Sequence, residues 1–354
     1  MKKRYNYIIQ GAGASGLWLA YWLHKEGLLD DKTLLIVECD KFKQNDRTWC
    51  FWGDALIQDL GFVDFSWSQV QVFGESQRID PYTYHHCRSE AFYAFVKNAL
   101  ASSGHIDWCF GRVVATRQIG SQVSVDIQID NDAGVENLNV AAEWFFGSGG
   151  ASVKTSEIAL WQSFVGWRVK SKSGETIFDS AACTLMDFRI EQRRKTRFLY
   201  VLPFSGEEAL IEVTQFDKEI LGLEEGQRML QEICEMRGWD VSMTELEQNA
   251  IPMSSIFDCS ERFHAPDTRI VPLGVVAGAL KPTTGYGFLR MMQHGKSIAS
   301  ALKSNELIPK LYRKRRFRFY DDLLLRILHK HPSRGKQIFD QLFQHQRAST
   351  VLRF

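Results

Sequence analysis

The feature that most constrains the fold is a glycine-rich turn close to the amino terminus. A short β-type run at 5–10 leads directly into Gly-Ala-Gly-Ala-Ser-Gly at 11–16. An apolar helical pattern follows, and Gly27 is placed to end that helix. A second strand is predicted over 34–37, with Glu38 at its end, about 20 residues after the turn. This order of strand, turn, helix and strand is typical of a dinucleotide-binding unit.

The residues of this turn have separate expected roles. Gly11 permits the tight turn, Gly13 lets the backbone approach a pyrophosphate, and Gly16 lets the helix and the strand pack closely. The start of the helix, at Ala14, offers unpaired N–H groups and a positive dipole end to phosphates. Glu38 can accept hydrogen bonds from a ribose diol. Placement at the amino terminus, ahead of a β-rich insertion, favours FAD over NAD.

Length and composition narrow the class of protein. The chain has 354 residues, which at about 150 residues per domain predicts two domains. Its 43 basic and 42 acidic residues nearly cancel, so nucleic acid is a disfavoured partner. No run of about 18 apolar residues predicts a transmembrane helix. The seven scattered cysteines lack a Cys-x-x-Cys pair, which argues against a disulfide framework or a metal site and favours a reducing compartment.

The rest of the chain alternates between helical and β-type patterns. A helix is predicted over 89–102 with Ser89 as its cap, and a hairpin over 113–129. A short strand is expected at 144–146, and β-type runs dominate from 164 to 214. Further on we expect helices over 224–237 and up to about 302, a strand over 269–273, and a basic helical remainder.

These patterns predict an α/β fold in three parts. A Rossmann-type FAD-binding domain is expected to combine residues 1–150 with 265–302. An antiparallel β-sheet substrate domain is expected over 151–264, and a helical carboxyl-terminal cap over 303–354. The domain that binds the nucleotide is therefore predicted to be discontinuous in sequence.

Two further loops are candidates for cofactor contacts. Arg47 lies among large rings in Arg-Thr-Trp-Cys-Phe-Trp and is predicted to contact flavin phosphates, a packed aromatic loop being the alternative. The segment 278–288 combines three glycines with a proline before a helix, which predicts a turn with exposed backbone N–H groups. An ordinary helix start is the alternative there. The flavin-binding candidates in this segment are Gly278, Pro282, Thr284, Gly285 and Tyr286.

One carboxyl interrupts an apolar strand pattern at 210–214. In a strand, Leu210, Glu212 and Thr214 share one face. Glu212 is therefore either exposed at a sheet edge or buried with a raised pKa, as an acid catalyst near neutral pH requires. The residues alone favour the exposed alternative, since most glutamates face solvent.

Several segments together carry a family resemblance. They are, in chain order, YNYIIQGAGASGLWLAYWL at 5–23, NDRTWCFW at 45–52, QSFVGWRV at 162–169, LMDFRIEQ at 185–192, RFLYVLPFSGEEALIEVTQF at 197–216, PLGVVAGALKPTTGYGF at 272–288 and FYDDLLLRIL at 319–328. In this combination the chain resembles the flavin-dependent lycopene cyclases of the bacterial β-cyclase branch. The resemblance covers most of the sequence in order.

The resemblance implies cyclisation of the ψ ends of lycopene to β-ionone rings without net redox change. It implies reduced FAD as the cofactor, maintained by NAD(P)H or another reductant. The acid of the family's Phe-Leu-Glu-Glu-Thr motif falls on Glu212, while its second acidic position is Val213 here, which argues against a two-carboxylate mechanism within this motif. Asp187 is a candidate second polar group, and Trp49 and Trp52 are candidates to face a carbocation.

Such a substrate implies a membrane surface, because lycopene dissolves in the bilayer. The predicted location is cytoplasmic, on the inner face of the membrane. A basic cluster between 310 and 318 is suited to anionic headgroups, a solvated helix face being the alternative. Its members are Lys310, Arg313, Lys314, Arg315, Arg316 and Arg318. Relatives are expected to extend beyond the segment that ends at Phe354.

Two other functions stay open at this point. One is an FAD-dependent monooxygenase or reductase that acts on another prenyl-type apolar substrate, which predicts stoichiometric use of NAD(P)H. The other is a flavin- or carotenoid-binding protein without catalysis, which predicts bound pigment and no turnover. Whether one or both ends of the carotenoid are cyclised, and the oligomeric state, are not readable from the sequence.

Overall fold

Three β-sheets and two groups of helices form the part of the chain that the computed structural model describes. That part comprises residues 2–53, 61–72, 74–131, 134–148, 160–255, 267–311 and 313–352. The strands are β1 (Arg4–Gln10), β2 (Leu34–Glu38), β3 (Thr48–Gly53), β4 (Phe65–Trp67), β5 (Gln69–Val72), β6 (Glu75–Arg78), β7 (Thr83–Arg88), β8 (Ile106–Phe110), β9 (Arg112–Ile119), β10 (Gln122–Asn131), β11 (Gly134–Gly147), β12 (Leu160–Ser171), β13 (Ala182–Asp187), β14 (Thr196–Pro203), β15 (Glu208–Asp217), β16 (Val241–Met253) and β17 (Ile270–Pro272). The helices are α1 (Ala14–Lys25), α2 (Ser89–Leu100), α3 (Leu223–Arg237), α4 (Phe288–Ser304), α5 (Arg315–Lys330), α6 (Gly335–His345) and α7 (Ala348–Leu352). The predicted α/β class is confirmed.

The first sheet carries the predicted nucleotide-binding unit. Its order is β8-β2-β1-β11-β10-β9, with β17 also paired to β11. The pairs that join β8, β2, β1, β11 and β17 are parallel, as a strand–helix–strand connection requires. The strand expected at 144–146 is the end of the longer β11, and the predicted hairpin is β9 with β10. Helices α1 and α4 pack against each other so closely that a Cβ on Gly295 would lie 3.0 Å from the Leu19 nitrogen.

The predicted cap of α2 is wrong. The residue in the cap position is Arg88, and no side chain caps the helix there. The Ser89 hydroxyl instead donates to the Gln44 carbonyl and accepts a hydrogen bond from the Arg47 N–H at 3.1 Å. A buried serine at this point therefore ties the loop before β3 to the helix, because its hydroxyl bonds to Gln44 and Arg47 of that loop.

The second sheet is the largely antiparallel one expected in the middle of the chain. Its order is β16-β12-β15-β14-β13-β5-β6, and only the β13–β5 pair is parallel among these. Helix α3 covers one face of this sheet with Met229, Leu230 and Ile233. Strands β5 and β6, at 69–78, pair here although they lie within 1–150 of the sequence. The predicted domain boundaries stay a prediction.

The third sheet, β3-β7-β4, lies against the other face of the second sheet. Alternation along β3 divides its side chains between two cores. Trp49 and Phe51 both stack on Phe288 of α4, with ring centroids 5.0 Å apart in each pair. Cys50 and Trp52 point the other way, toward the second sheet. Strand β3 therefore joins the nucleotide-binding part to the sheet that carries the candidate acid.

The carboxyl-terminal helices pack on the same face of the second sheet, as a helical cap was expected to do. Leu325 and Leu328 of α5 and Phe339 of α6 belong to its core. Helix α5 is also tied to the loop before α4, because buried Asp321 accepts hydrogen bonds from Lys281 and Thr283 at 2.8 Å. None of the described helices is long and apolar enough to cross a bilayer.

Candidate functional site

The glycine-rich turn has the geometry that its sequence predicts. Gly11 has φ +93°, a conformation that suits glycine, and a Cβ there would overlap the Ser148 hydroxyl. A Cβ on Gly16 would overlap the Gly11 carbonyl oxygen and lie 3.0 Å from Ile9. Nothing lies within 4 Å of the corresponding position at Gly13. The turn is therefore tight on its inner side and open at Gly13, where a phosphate would approach.

A cavity of about 500 Å³ lies beside this turn. Ala12, Glu38, Lys43 and Trp108 are among its lining residues. Glu38 is buried and accepts a 2.7 Å hydrogen bond from the Ala12 N–H. Burial raises the pKa of Glu38, but hydrogen bonds from Asp40 and Ala12 and the charge of Lys43 outweigh it and lower the pKa. An ionised carboxylate at the edge of a cavity of this size suits the ribose of a nucleoside.

The other predicted cofactor residues fall in two places. Arg47 is exposed, donates to the Asp46 carbonyl at 2.8 Å, and is absent from the described lining of the cavity. The segment just before the loop at 278–286 lies next to the turn, since a Cβ on Gly274 would be 2.9 Å from the Ser15 hydroxyl. Buried hydroxyls of Ser15 and Thr284 have no hydrogen-bond partner among the described residues. Unpartnered buried hydroxyls on both sides of this region fit a polar ligand such as FAD.

The same loop reaches the second sheet. Gly278 and Gly285 adopt positive φ angles of +76° and +71°. A Cβ on Gly285 would lie 3.1 Å from Ile251 of β16 and 3.2 Å from Gln162 of β12. The loop that contains Pro282 therefore lies between the predicted nucleotide site and the sheet face that carries Glu212.

Four residues form a row across that face, one on each of four neighbouring strands. Tyr200 of β14 is opposite Glu212 of β15, Glu212 is opposite Gly166 of β12, and Gly166 is opposite Glu247 of β16. Residues directly opposite in an antiparallel pair point to the same face. The register therefore brings two glutamates to one face with a glycine between them.

Glu212 is buried, so the exposed alternative favoured by the residues alone is wrong. Its side chain is 9% exposed and accepts a 2.5 Å hydrogen bond from Thr214, its predicted neighbour on the same face. Burial and the charge of Glu247 raise the pKa of Glu212 to about 8. The loss of solvent is the largest cause, and the hydrogen bond from Thr214 acts in the opposite direction. Glu212 is therefore protonated at neutral pH.

Aromatic rings and hydroxyls surround this carboxyl. The Tyr84 hydroxyl is 2.5 Å from that of Tyr200 and 2.6 Å from that of Tyr286. Trp52 contacts Tyr286 edge-on, with ring centroids 4.5 Å apart. Burial raises the pKa of each of these tyrosines, so all three are neutral phenols. Cys50 also faces the cluster, and burial raises the pKa of its thiol to about 12. Of the two predicted tryptophans, only Trp52 is brought to the acid.

Asp187 lies on the opposite face of the second sheet. It pairs in register with Leu199, whose side chain packs under α3. Arg189 and Arg237 both donate to its carboxylate, at 2.8 and 2.6 Å. Burial raises the pKa of Asp187, but these hydrogen bonds outweigh it and lower the pKa to about 2. The structure therefore does not bring Asp187 together with Glu212, and its proposed catalytic role stays a prediction without geometric support.

Sequence reasoning missed Glu247. Strand β16 carries many polar side chains, which hide its alternation, and no strand is predicted for 241–253. A usable signal lies in β12, where Gly166 interrupts an apolar strand pattern. A glycine inside a strand often marks the close approach of another group, and here that group is Glu247.

The class of fold comes first: an α/β fold shared with solved flavoprotein structures. The chain superposes on a geranylgeranyl bacteriochlorophyll reductase-like protein from Thermoplasma acidophilum with TM-score 0.65, 14% identity, and 99% and 90% coverage of the two chains. An aklavinone-11 hydroxylase, solved as a complex with FAD and aklavinone, gives TM-score 0.57 and 15% identity over 86% of this chain and 63% of its own. At these identities the likeness concerns the fold.

The family follows from sequence. The family profile described as lycopene cyclase protein matches residues 6–354, and the chain belongs to this family. A lycopene β-cyclase of Pantoea ananas is 22% identical over 298 residues, which are 81% of this chain and 72% of the relative. The predicted resemblance is confirmed.

Proposed function

We propose that this chain is a lycopene β-cyclase that closes the ψ ends of the linear carotenoid to β-ionone rings. The observation that supports it most directly is a carboxyl kept protonated at neutral pH among aromatic rings. Such a group still holds its proton at neutral pH and is shielded from water, which suits it to protonate an alkene. The family membership supports the substrate class.

Glu212 is the proposed acid. Its hydroxyl proton goes to the terminal double bond and leaves a tertiary cation. The neighbouring alkene attacks that cation and closes the ring. A ring proton then passes to the carboxylate left on Glu212, which restores a double bond in the product and the proton of the acid. One proton is gained and one is lost, so the product is an isomer of the substrate. The faces of Trp52 and the neutral tyrosines are suited to stabilise the cation without capturing it.

FAD is the proposed cofactor, with its adenosine diphosphate part on the glycine-rich turn and its ring system toward the loop at 278–286. Gly11, Gly13, Ala14 and Gly16 would hold the pyrophosphate, and Glu38 would accept the ribose hydroxyls. Reduced flavin supplies an electron-rich ring that stabilises a nearby cation. NAD(P)H is the proposed reductant, used only to keep the flavin reduced.

The test is pigment analysis of a lycopene-accumulating bacterial host that expresses the chain. The expected products are γ-carotene and β-carotene from the parent and unchanged lycopene from Glu212→Gln. Glu245→Gln is a matched control, because this glutamate lies on the surface and pairs with Arg88. Persistent lycopene beside a folded yellow parent protein would contradict the proposal. Substrate-dependent NAD(P)H and oxygen consumption would then favour the monooxygenase or reductase.

A membrane surface is the proposed place of action, on the cytoplasmic side. Support comes from α5, where Arg316, Phe319, Tyr320 and Leu323 share an exposed face and Phe319 is 61% exposed. One member of the predicted basic cluster, Arg313, is instead turned inward onto Asp321 at 2.6 Å. The test is sedimentation of the protein with anionic vesicles, with neutral vesicles as the control. The double variant Phe319→Ser/Leu323→Ser is expected to lose this sedimentation.

A further inference from the structure

Gly166 has no side chain, and this leaves space between the carboxyls of Glu212 and Glu247. Gly166 stands between Glu212 and Glu247 in the register of β12 with its two neighbours. A Cβ on Gly166 would lie 2.9 Å from Cγ and 3.0 Å from Oε1 of Glu247. The Glu247 side chain therefore lies across bare backbone on the face that carries Glu212, and the charge of Glu247 acts on the Glu212 carboxyl.

Hydroxyl groups hold the outer oxygens of this pair. Thr214 donates to Glu212 Oε1, and Thr48 of β3 donates to Glu247 Oε2 at 3.2 Å. Glu247 Oε1 is buried and has no hydroxyl or amide donor among the described residues. Two carboxyls form a hydrogen bond only when a proton lies between them, so a shared proton here requires one protonated and one ionised member.

Charged and titratable groups near the pair come from every element that packs against it. On the sheet face, Arg168 is occupied by Glu208 at 2.6 Å, and Glu245 by Arg88 at 3.2 Å. The remaining titratable neighbours among the described residues are neutral at pH 7, namely Cys50 of β3, Tyr84 of β7, Tyr200 of β14 and Tyr286 of the loop. Both carboxyls have raised pKa values, chiefly through burial.

We propose that Glu247 is a positioning residue for the acid: held by Thr48 across Gly166, its carboxylate accepts the Glu212 hydrogen bond and keeps that proton in the site. The role of Glu247 in catalysis rests on the proposed function, whereas a proton shared between the two carboxyls does not depend on it. In the strand motif, Val213 stands where the second acidic residue is expected. Glu247 supplies a second carboxyl in its place. The second carboxyl thus comes from another strand.

The first experiment is an infrared titration of the purified flavoprotein between pH 5 and 9. The parent-minus-Glu212→Gln difference spectrum isolates the carboxyl band of Glu212. In Glu247→Gln, the midpoint of this band is expected to fall by about 1 pH unit or more, since an anion is lost and an amide donor is gained. Glu245→Gln is the control, with a smaller shift expected. An unchanged midpoint in Glu247→Gln would overturn the proposal.

A second variant keeps the proposal testable if Glu247→Gln does not fold. Gly166→Ala retains both carboxyls but places a methyl group where the Glu247 side chain lies. It is expected to lower the same midpoint and to move the alkaline limb of the pH–activity profile to lower pH. A normal midpoint in Gly166→Ala and in Glu247→Gln would contradict the shared proton. If the midpoint shifts but the parent forms no cyclic carotenoid, the pair stands and the proposed function fails.

Discussion

Two buried carboxyls on opposite faces of one sheet have pKa values shifted in opposite directions. Asp187 is 1% exposed and Glu212 is 9% exposed, so both are removed from water. Asp187 meets two arginines and has its pKa lowered to about 2, whereas Glu212 meets another carboxyl and has its pKa raised to about 8. Burial alone therefore does not set the charge of a carboxyl in this protein. The partners that the fold brings to each face decide it.

Loss of the acid should give the largest effect. Glu212→Gln keeps the shape of the side chain and removes the proton donor. We expect the rate of cyclisation to fall by about 100-fold or more. The measurement is ring formation by purified protein with lycopene in detergent or vesicles, with bound flavin as a check of folding. Activity within a few-fold of the parent would show that Glu212 is not the acid and that the reaction does not take place on its face of the sheet.

A third buried carboxyl, Asp321, should prove structural. It binds Lys281 at 2.8 Å and Arg313 at 2.6 Å, and both cations are largely buried. Asp321→Asn leaves them with no anion, so unfolding free energy should fall by about 3 kcal/mol. Flavin should also dissociate more readily, because Lys281 belongs to the loop at 278–286. Urea unfolding and flavin release measure both effects, and an unchanged urea midpoint would contradict them.

Asp187→Asn should affect stability rather than chemistry. Arg189 is about half exposed and Arg237 partly so, which lets water replace part of the lost interaction. We expect a loss of about 2 kcal/mol in urea unfolding, with the rate of cyclisation per folded molecule unchanged. If that rate fell as it does in Glu212→Gln, Asp187 would act in the reaction after all, as the sequence analysis expected.

The smallest expected effect is on the pH dependence of the unfolding free energy, which should differ between the carboxyls of the two faces. Between the ordinary pKa of 4.5 and about 8, folded Glu212 keeps a proton that the unfolded chain has lost, so its contribution falls as pH rises. Asp187 behaves in the opposite way, and its contribution is lost as pH falls from 3.8 to about 2.

The slopes should reach at most about 1.4 kcal/mol per pH unit. Glu212→Gln should flatten the curve of unfolding free energy above pH 5 and leave the acid side unchanged. Asp187→Asn should do the reverse. Urea unfolding at a series of pH values measures both, and the same change in both variants would remove the contrast between the faces.

Local sequence determined the parts of this protein that depend on neighbours in the chain. The glycine-rich turn, Glu38 at the end of β2, and the shared face of Glu212 and Thr214 all follow from backbone geometry over a few residues. The family resemblance was equally readable, because its segments lie in order along the chain. The predicted Ser89 cap was wrong because the hydroxyl bonds to a loop that is distant in sequence, which local sequence cannot show.

Only the tertiary structure decided which groups meet. Strand pairing in register brought Glu247 across Gly166 to Glu212, and the packing of β3 turned Trp52 toward the acid and Trp49 away from it. It also placed Asp187 under α3, where two arginines reach it. A pKa depends on burial and on charges within a few ångströms, and two of the groups that act here, Glu247 on Glu212 and Arg237 on Asp187, are distant in sequence from the carboxyls they affect.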